Sequence, residues 1–207
     1  MKVVASFRQY GWATIPRIIK SLLRRIGIVI ESYYLLQYLI DKQSVENKMQ
    51  GHDYSCVKPL EIEDLNLLTD FDSAKIELLK TRLSSDEYSG YALWQDEKIV
   101  YVTWISWARM NYPSLFNLQH PLKAHEALLE DSYCHPDYRG RGFHSKMNIF
   151  RINEVKKRGK TAVLVLVLKE NKPALKVQFK SGFYLSERIS LLKFGTWLKI
   201  TKKPCHD

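Results

Sequence analysis

Cysteine is scarce in this chain of 207 residues: Cys56, Cys134 and Cys205 are scattered, odd in number and without CxxC spacing. The pattern argues against a disulfide framework and against a thiolate zinc or redox site; it points to a reducing, cytoplasmic setting with no metal implied. Long uncharged apolar runs are missing as well. A run such as Ser32 to Ile40 is about half of what a bilayer span requires. No small-residue cleavage site follows the charge-interrupted apolar stretch before it, which disfavours a secretory leader. No repeat or low-complexity tract is visible. What is present is 45% apolar residues, enough for one ordinary domain with a real core plus an appendage.

Acidic residues are few relative to basic ones, and the net charge of +10 is unevenly placed. Residues 1–50 carry eight Lys/Arg against Glu31, Asp41 and Glu46, a net +5. Such a surface suits an anionic membrane, an acidic partner, nucleic acid or the phosphates of a ligand. The charges lack the aromatic interleaving of single-strand binders, so nucleic acid ranks last. From Ile15 to Tyr33 the apolar residues Ile15, Ile18, Ile19, Leu22, Ile26, Val29, Ile30 and Tyr33 recur at helical spacing, which predicts a basic amphipathic helix. It would pack on the rest of the protein, pair with a second copy through residues 15–40, or lie peripherally on a membrane surface. The expected organisation is a helical extension over 1–50, a linker over 41–52 and a main domain over 51–207.

Along that domain, Tyr54 to Leu60 reads as a first strand and Glu61 to Leu83 as a helical region opened by acids. Tyr91–Trp94 and Ile99–Ser106 read as a hairpin across the Gln95-Asp96-Glu97-Lys98 turn. The connection between Trp107 and His125 is long for a hairpin loop, and loops of that length tend to be functional.

The densest signal is Cys134-His135-Pro136-Asp137-Tyr138-Arg139-Gly140-Arg141-Gly142-Phe143-His144. A strand-like run, Glu126 to Tyr133, enters it and a helical pattern leaves it. Amides of a first helical turn lack intrahelical partners and sit at the positive end of the helix dipole. A glycine-bearing turn delivered to that point cradles phosphate, with Gly140 and Gly142 allowing close backbone approach and Arg139 and Arg141 adding charge. Past Gly159, an apolar run Ala162–Leu168 leads to Asn171-Lys172-Pro173-Ala174 and then Gly182-Phe183.

With both segments at this separation the chain resembles the GNAT superfamily of acyl-CoA N-acyltransferases, over about Ser55 to Leu192. The resemblance implies an α/β (α+β) fold with a mixed, mostly antiparallel sheet flanked by helices, here preceded by the helical extension. It implies acetyl-CoA as cosubstrate, with no metal. It also implies that the strand before the cradle splays from its neighbour, so that main-chain groups of Ser132, Tyr133 and Cys134 meet the pantetheine arm and thioester. The cradle residues Arg139, Gly140, Arg141, Gly142, Phe143 and His144 would hold the pyrophosphate. Asn171 would bond the pantetheine amides, cap the next helix, or both. His144 stands where the family usually has Gly or Ala, and is expected to point outward or to add a contact to CoA. Gln178 stands where many members carry a tyrosine that protonates the departing thiolate.

Acyl transfer to an amine needs a base. Strand alternation would put Glu130, Ser132 and Cys134 on one face and Leu129, Asp131 and Tyr133 on the other. Glu130 is the favoured base and Asp131 the alternative. In the long connection, Tyr112, Phe116 and His120 are candidate acceptor contacts. The expected function is transfer of acetyl from acetyl-CoA to a primary amine by direct attack in a ternary complex, the acceptor being an amino sugar or another small molecule. The competing readings are a non-catalytic acyl-CoA-binding regulator and a membrane-surface module.

Overall fold

The computed structural model describes residues 20, 22–41, 45 and 49–205. Among these residues ten strands are laid down in chain order: β1 (Ile28–Leu39), β2 (Val57–Pro59), β3 (Tyr88–Gln95), β4 (Lys98–Ser106), β5 (Arg109–Asn111), β6 (Gln119–Pro121), β7 (Glu126–Cys134), β8 (Ala162–Leu168), β9 (Tyr184–Phe194) and β10 (Trp197–Pro204). Among the described residues the helices that join them are α1 (Ser73–Leu83), α2 (Phe143–Lys157) and α3 (Lys172–Lys180). Eight strands form one sheet in the order β10-β9-β1-β8-β7-β4-β3-β2, and β5 with β6 forms a separate hairpin. Every pair in the large sheet is antiparallel except β7 with β8. The expected mixed, mostly antiparallel sheet flanked by helices is what the chain builds.

The N-terminal reading needs correcting. A short helical stretch does end near Ile26, but Gly27 adopts φ 78°, a left-handed conformation that stops a helix cheaply only at glycine. Beyond it Ile28–Leu39 is a central strand, with Leu36↔Val165 on one side and Leu36↔Leu185 on the other. Residues 28–39 therefore belong to the main sheet and not to an appended helix. Leu36 is fully buried, and burial of such a side chain stabilises by roughly 1.5–3 kcal/mol. Residues 1–19 and 21 of the expected extension, and residues 42–44 and 46–48 of the linker, lie outside the described residues. Among the described residues no helix is long and apolar enough to cross a membrane.

Each face of the sheet is covered. On one, Ile152 and Val155 of α2 and Leu175 of α3 pack on Leu36, Ile105, Leu129 and Val163. On the other, α1 brings Leu79 against Val102 and Trp104, and the segment after β4 brings Met110, Tyr112 and Phe116 against Tyr33, Leu128 and Leu164. That segment is no loose loop: a hairpin and a short 3-10 turn, Ser114–Phe116, anchor it. α1 starts where the Asp72 carboxylate accepts from the Lys75 amide at 2.7 Å, a side-chain cap for one of the unpaired first-turn donors.

Candidate active site

β7 organises the site through two departures from a regular strand. Its pairing with β8 stops at Leu128↔Leu164, so the strands part beyond that point and leave an opening beside Leu129–Cys134. Its pairing with β4 slips between Val102↔Tyr133 and Trp104↔Glu130, where two residues of β7 oppose Thr103 alone. Asp131 sits in this bulge with φ 51°. A bulge adds one residue and reverses the side-chain alternation after it.

The expected alternation is thereby overturned. Glu130 and Asp131 both reach Arg82 of α1, at 3.0 and 2.6 Å. Asp131 also pairs with Lys75, and Tyr133 is turned the same way, bonded to Asp70 and edge-on to Phe71. Ser132 instead meets Thr103 at 2.9 Å on the opposite face, where Cys134 packs with Tyr101 and Met147. The extra residue sends the acids to α1 and the small polar side chains to α2.

A cavity opens on each side. The larger, about 690 Å³, is lined by Glu130, Asp131, Arg82, Lys75, Tyr88, the Glu87–Arg109 ion pair, Asn111 and Tyr112. Of the three candidate acceptor contacts, only Tyr112 lines it. Phe116 lies in the core beneath the 3-10 turn, and His120 is exposed on β6 outside the lining. Burial raises the Glu130 carboxyl to about 7, against the opposing pull of Arg82. Glu130 Oε1 is buried and has no aligned hydrogen bond, despite its proximity to the guanidinium. A carboxylate with that poise takes a proton near neutral pH.

The second cavity, about 370 Å³, opens at the glycine-bearing turn before α2. Ser132, Cys134, Arg139, Gly140, Gly142, Phe143 and His144 line it together with Tyr101, Tyr138, Ser145 and Val177. Gly142, at φ 79°, is the N-cap of α2 and offers no side chain to its first-turn amides. Those amides are the donors a phosphate would satisfy. Tyr133, Arg141 and Asn171 lie outside this lining. Arg141 donates to the Asp137 carbonyl at 3.3 Å and stacks on Tyr138. Asn171 caps α3, its side chain accepting from the Ala174 amide at 3.2 Å.

Of the two expectations for His144, the outward orientation fails, while its place in the lining leaves a contact to CoA open. Its Nδ1 is 2.6 Å from the Tyr101 hydroxyl and its Nε2 is 3.2 Å from the Gln178 amide nitrogen. Burial, with Arg151 near, lowers it to about 4, so it is neutral at physiological pH. Gln178 is itself buried, held by Asn148. Sequence reasoning missed Arg82 and Tyr101. Neither lies near a motif, and only the folded sheet brings them to β7.

Comparison with solved structures decides the architecture. Over 86% of this chain and 68% of its own, an acetyltransferase from the GNAT family of Novosphingobium aromaticivorans superposes with a TM-score of 0.54 at 16% identity. The fold is the GNAT fold. A functionally unknown conserved protein from Staphylococcus epidermidis matches 86% of this chain and 67% of its own, with a TM-score of 0.56 at 10% identity. The aminoglycoside N-acetyltransferase AAC(6')-Iy, solved with a CoA-based bisubstrate analog, matches 62% and 89% with a TM-score of 0.50 at 16% identity. No family model matches the chain, and no curated protein does. At these identities the likeness to the GNAT structures is one of fold, and the chemistry has to be argued from the residues of this chain.

Proposed function

We propose that this protein transfers an acetyl group from acetyl-CoA to a primary amine, by direct attack while both substrates are bound. The observation that carries the reading is the division of β7 between two cavities. Glu130 and Asp131 border one, Ser132 and Cys134 border the other, and the strand has parted from β8 at that level. In this reading acetyl-CoA lays its pyrophosphate on the first turn of α2, and its pantetheine arm enters the opening beside β7. The thioester supplies the electrophilic carbonyl. Free main-chain groups of the parted strand orient that carbonyl and stabilise its developing oxyanion.

The amine enters from the larger cavity. Glu130, deprotonated above about 7, takes its proton directly or through water. Arg82 keeps that carboxylate from drifting further upward, and Asp131, tied to both Lys75 and Arg82, is left as the weaker candidate base. Cationic and anionic side chains share the lining with Asn111 and Tyr88, which are hydrogen-bonded to each other. Such a lining suits a compact polyhydroxylated amine, such as an amino sugar, better than a peptide tail.

Calorimetric titration with acetyl-CoA, followed by thiol release across amino sugars, polyamines and peptide N-termini, tests the reading. Binding with turnover on one amine class supports it. Binding without turnover on any of them would favour an acyl-CoA-responsive regulator, and absence of binding would overturn the assignment of the cradle.

A further inference from the structure

Directly opposed residues of an antiparallel pair share a face of the sheet. On one face of β1, β9 and β10 the rows run from apolar, Phe194 beside Trp197 and Ile30 beside Leu192, to cationic, Arg188 beside Lys203. The row between them is made of hydroxyls, and no acid lies on this face. Tyr34, opposite Arg188, joins the cluster that α2 and α3 cover, but farther along the strands Phe194 is 59% and Trp197 54% exposed. The Gly195 amide donates to the Gly27 carbonyl at 3.3 Å, which sets the β9–β10 turn beside the exposed Ile26. A contiguous group of exposed apolar side chains marks a contact surface.

Charge says what covers it. Residues 169–204 carry nine Lys/Arg against two acids. Glu170 is paired with Lys20, and Glu187, opposite Leu35, is turned to the other face. Lys172, Lys176 and Lys180 recur every fourth residue along α3, on the side of the sheet that this face belongs to, and are exposed, as are Lys199 and Lys203. Among the described residues none of these five is in an ion pair. We infer that this face docks the protein peripherally on an anionic lipid bilayer, with Phe194 and Trp197 seated among the headgroups and the lysines against lipid phosphates. A nucleic acid answers the charge and leaves Ile30, Leu192 and Phe194 in water. A second copy related by a two-fold axis answers the apolar rows and sets cation against cation. A bilayer rich in anionic lipid answers both. The larger cavity opens on the other side of the sheet, beside Tyr33, Leu128 and Leu166, so docking leaves it accessible.

Co-sedimentation of the full chain with vesicles tests the assignment, using phosphatidylcholine alone and equal parts phosphatidylcholine and phosphatidylglycerol, at low and high salt. The expected result is binding to the anionic vesicles that weakens with salt, and little on phosphatidylcholine alone. Lys199→Ala combined with Lys203→Ala lowers the partition by about 30-fold, the worth of two lysines at an anionic surface. Phe194→Ser combined with Trp197→Ser lowers it by about tenfold or more, and lipids brominated on the acyl chain quench a fluorescence that Trp197→Phe loses. All four side chains are exposed, so the variants keep the fold. Absence of binding, equal binding to both vesicle types, or binding that survives both paired variants overturns the assignment, the last placing the contact elsewhere on the chain. A concentration-dependent dimer that Trp197→Ser dissociates, without vesicle binding, makes the face an interface between copies and overturns it as well. None of these outcomes bears on the acyl-transfer reading, which acetyl-CoA titration tests separately.

Discussion

Arg82 stands 3.0 Å from Glu130, close enough to form an ion pair yet without an aligned hydrogen bond. The arrangement tunes the acid without consuming it. The carboxyl is held near 7 because burial raises it more than the cation lowers it.

The pH profile follows directly. Glu130 is a base only when ionised, so the rate with a saturating amine rises with pH and levels off above about 7. Glu130→Gln lowers the rate by about 10²–10⁴-fold at neutral pH and removes this rising limb. A profile identical in the two proteins would shift the role to Asp131 or to water.

Arg82→Met moves the same limb the other way from what charge removal on an acid would do. Without the guanidinium the Glu130 carboxyl goes higher, and the half-maximal pH moves up by about one unit or more. An unshifted midpoint in a steady-state pH profile would mean that Arg82 serves the fold alone.

At Gly142 the backbone, not crowding, sets the penalty. No heavy atom lies within 4 Å of an added Cβ, but φ is 79°. Gly142→Ala therefore costs about 1–2 kcal/mol of stability, measured by denaturant unfolding. Calorimetry should show acetyl-CoA affinity falling as well, since the same residue sets the α2 amides for phosphate; unchanged affinity would remove the cradle from the binding site.

β1 offers a contrast within one element. Leu36 is fully buried and Leu39 is 59% exposed. Leu36→Ala is expected to lower stability by about 2–5 kcal/mol, whereas Leu39→Ala stays within about 0.5 kcal/mol. Similar unfolding midpoints for both would restore β1 to the status of an appendage.

The run Ala162–Leu168 was legible because an uninterrupted apolar stretch of that length, bounded by a glycine turn and a polar turn, fits a buried strand. Ile28–Leu39 was not, because it is apolar on both faces and satisfies the helical period as well as the strand period; Gly27 held the only local clue. The turn that starts α2 was legible from its glycines. The bulge at Asp131 was not, since nothing about an aspartate in a strand announces a left-handed backbone. One hidden residue was enough to put Glu130 and Ser132 on opposite faces. The inward turn of His144 was not legible for a related reason: it depends on Tyr101 and Gln178, which only the assembled sheet brings to it.

The place of β1 between β8 and β9 also governs how the molecule is made. The earliest strand among the described residues has both of its neighbours in the last third of the chain, so it waits through most of synthesis with two open edges. Closing so long a connection is slow, and an apolar strand left unpaired meanwhile is a site for association with other chains. Productive folding then depends on β8 and β9 capturing β1 before another chain does, which makes this protein's yield sensitive to translation rate and holding chaperones in a way its finished stability does not reveal.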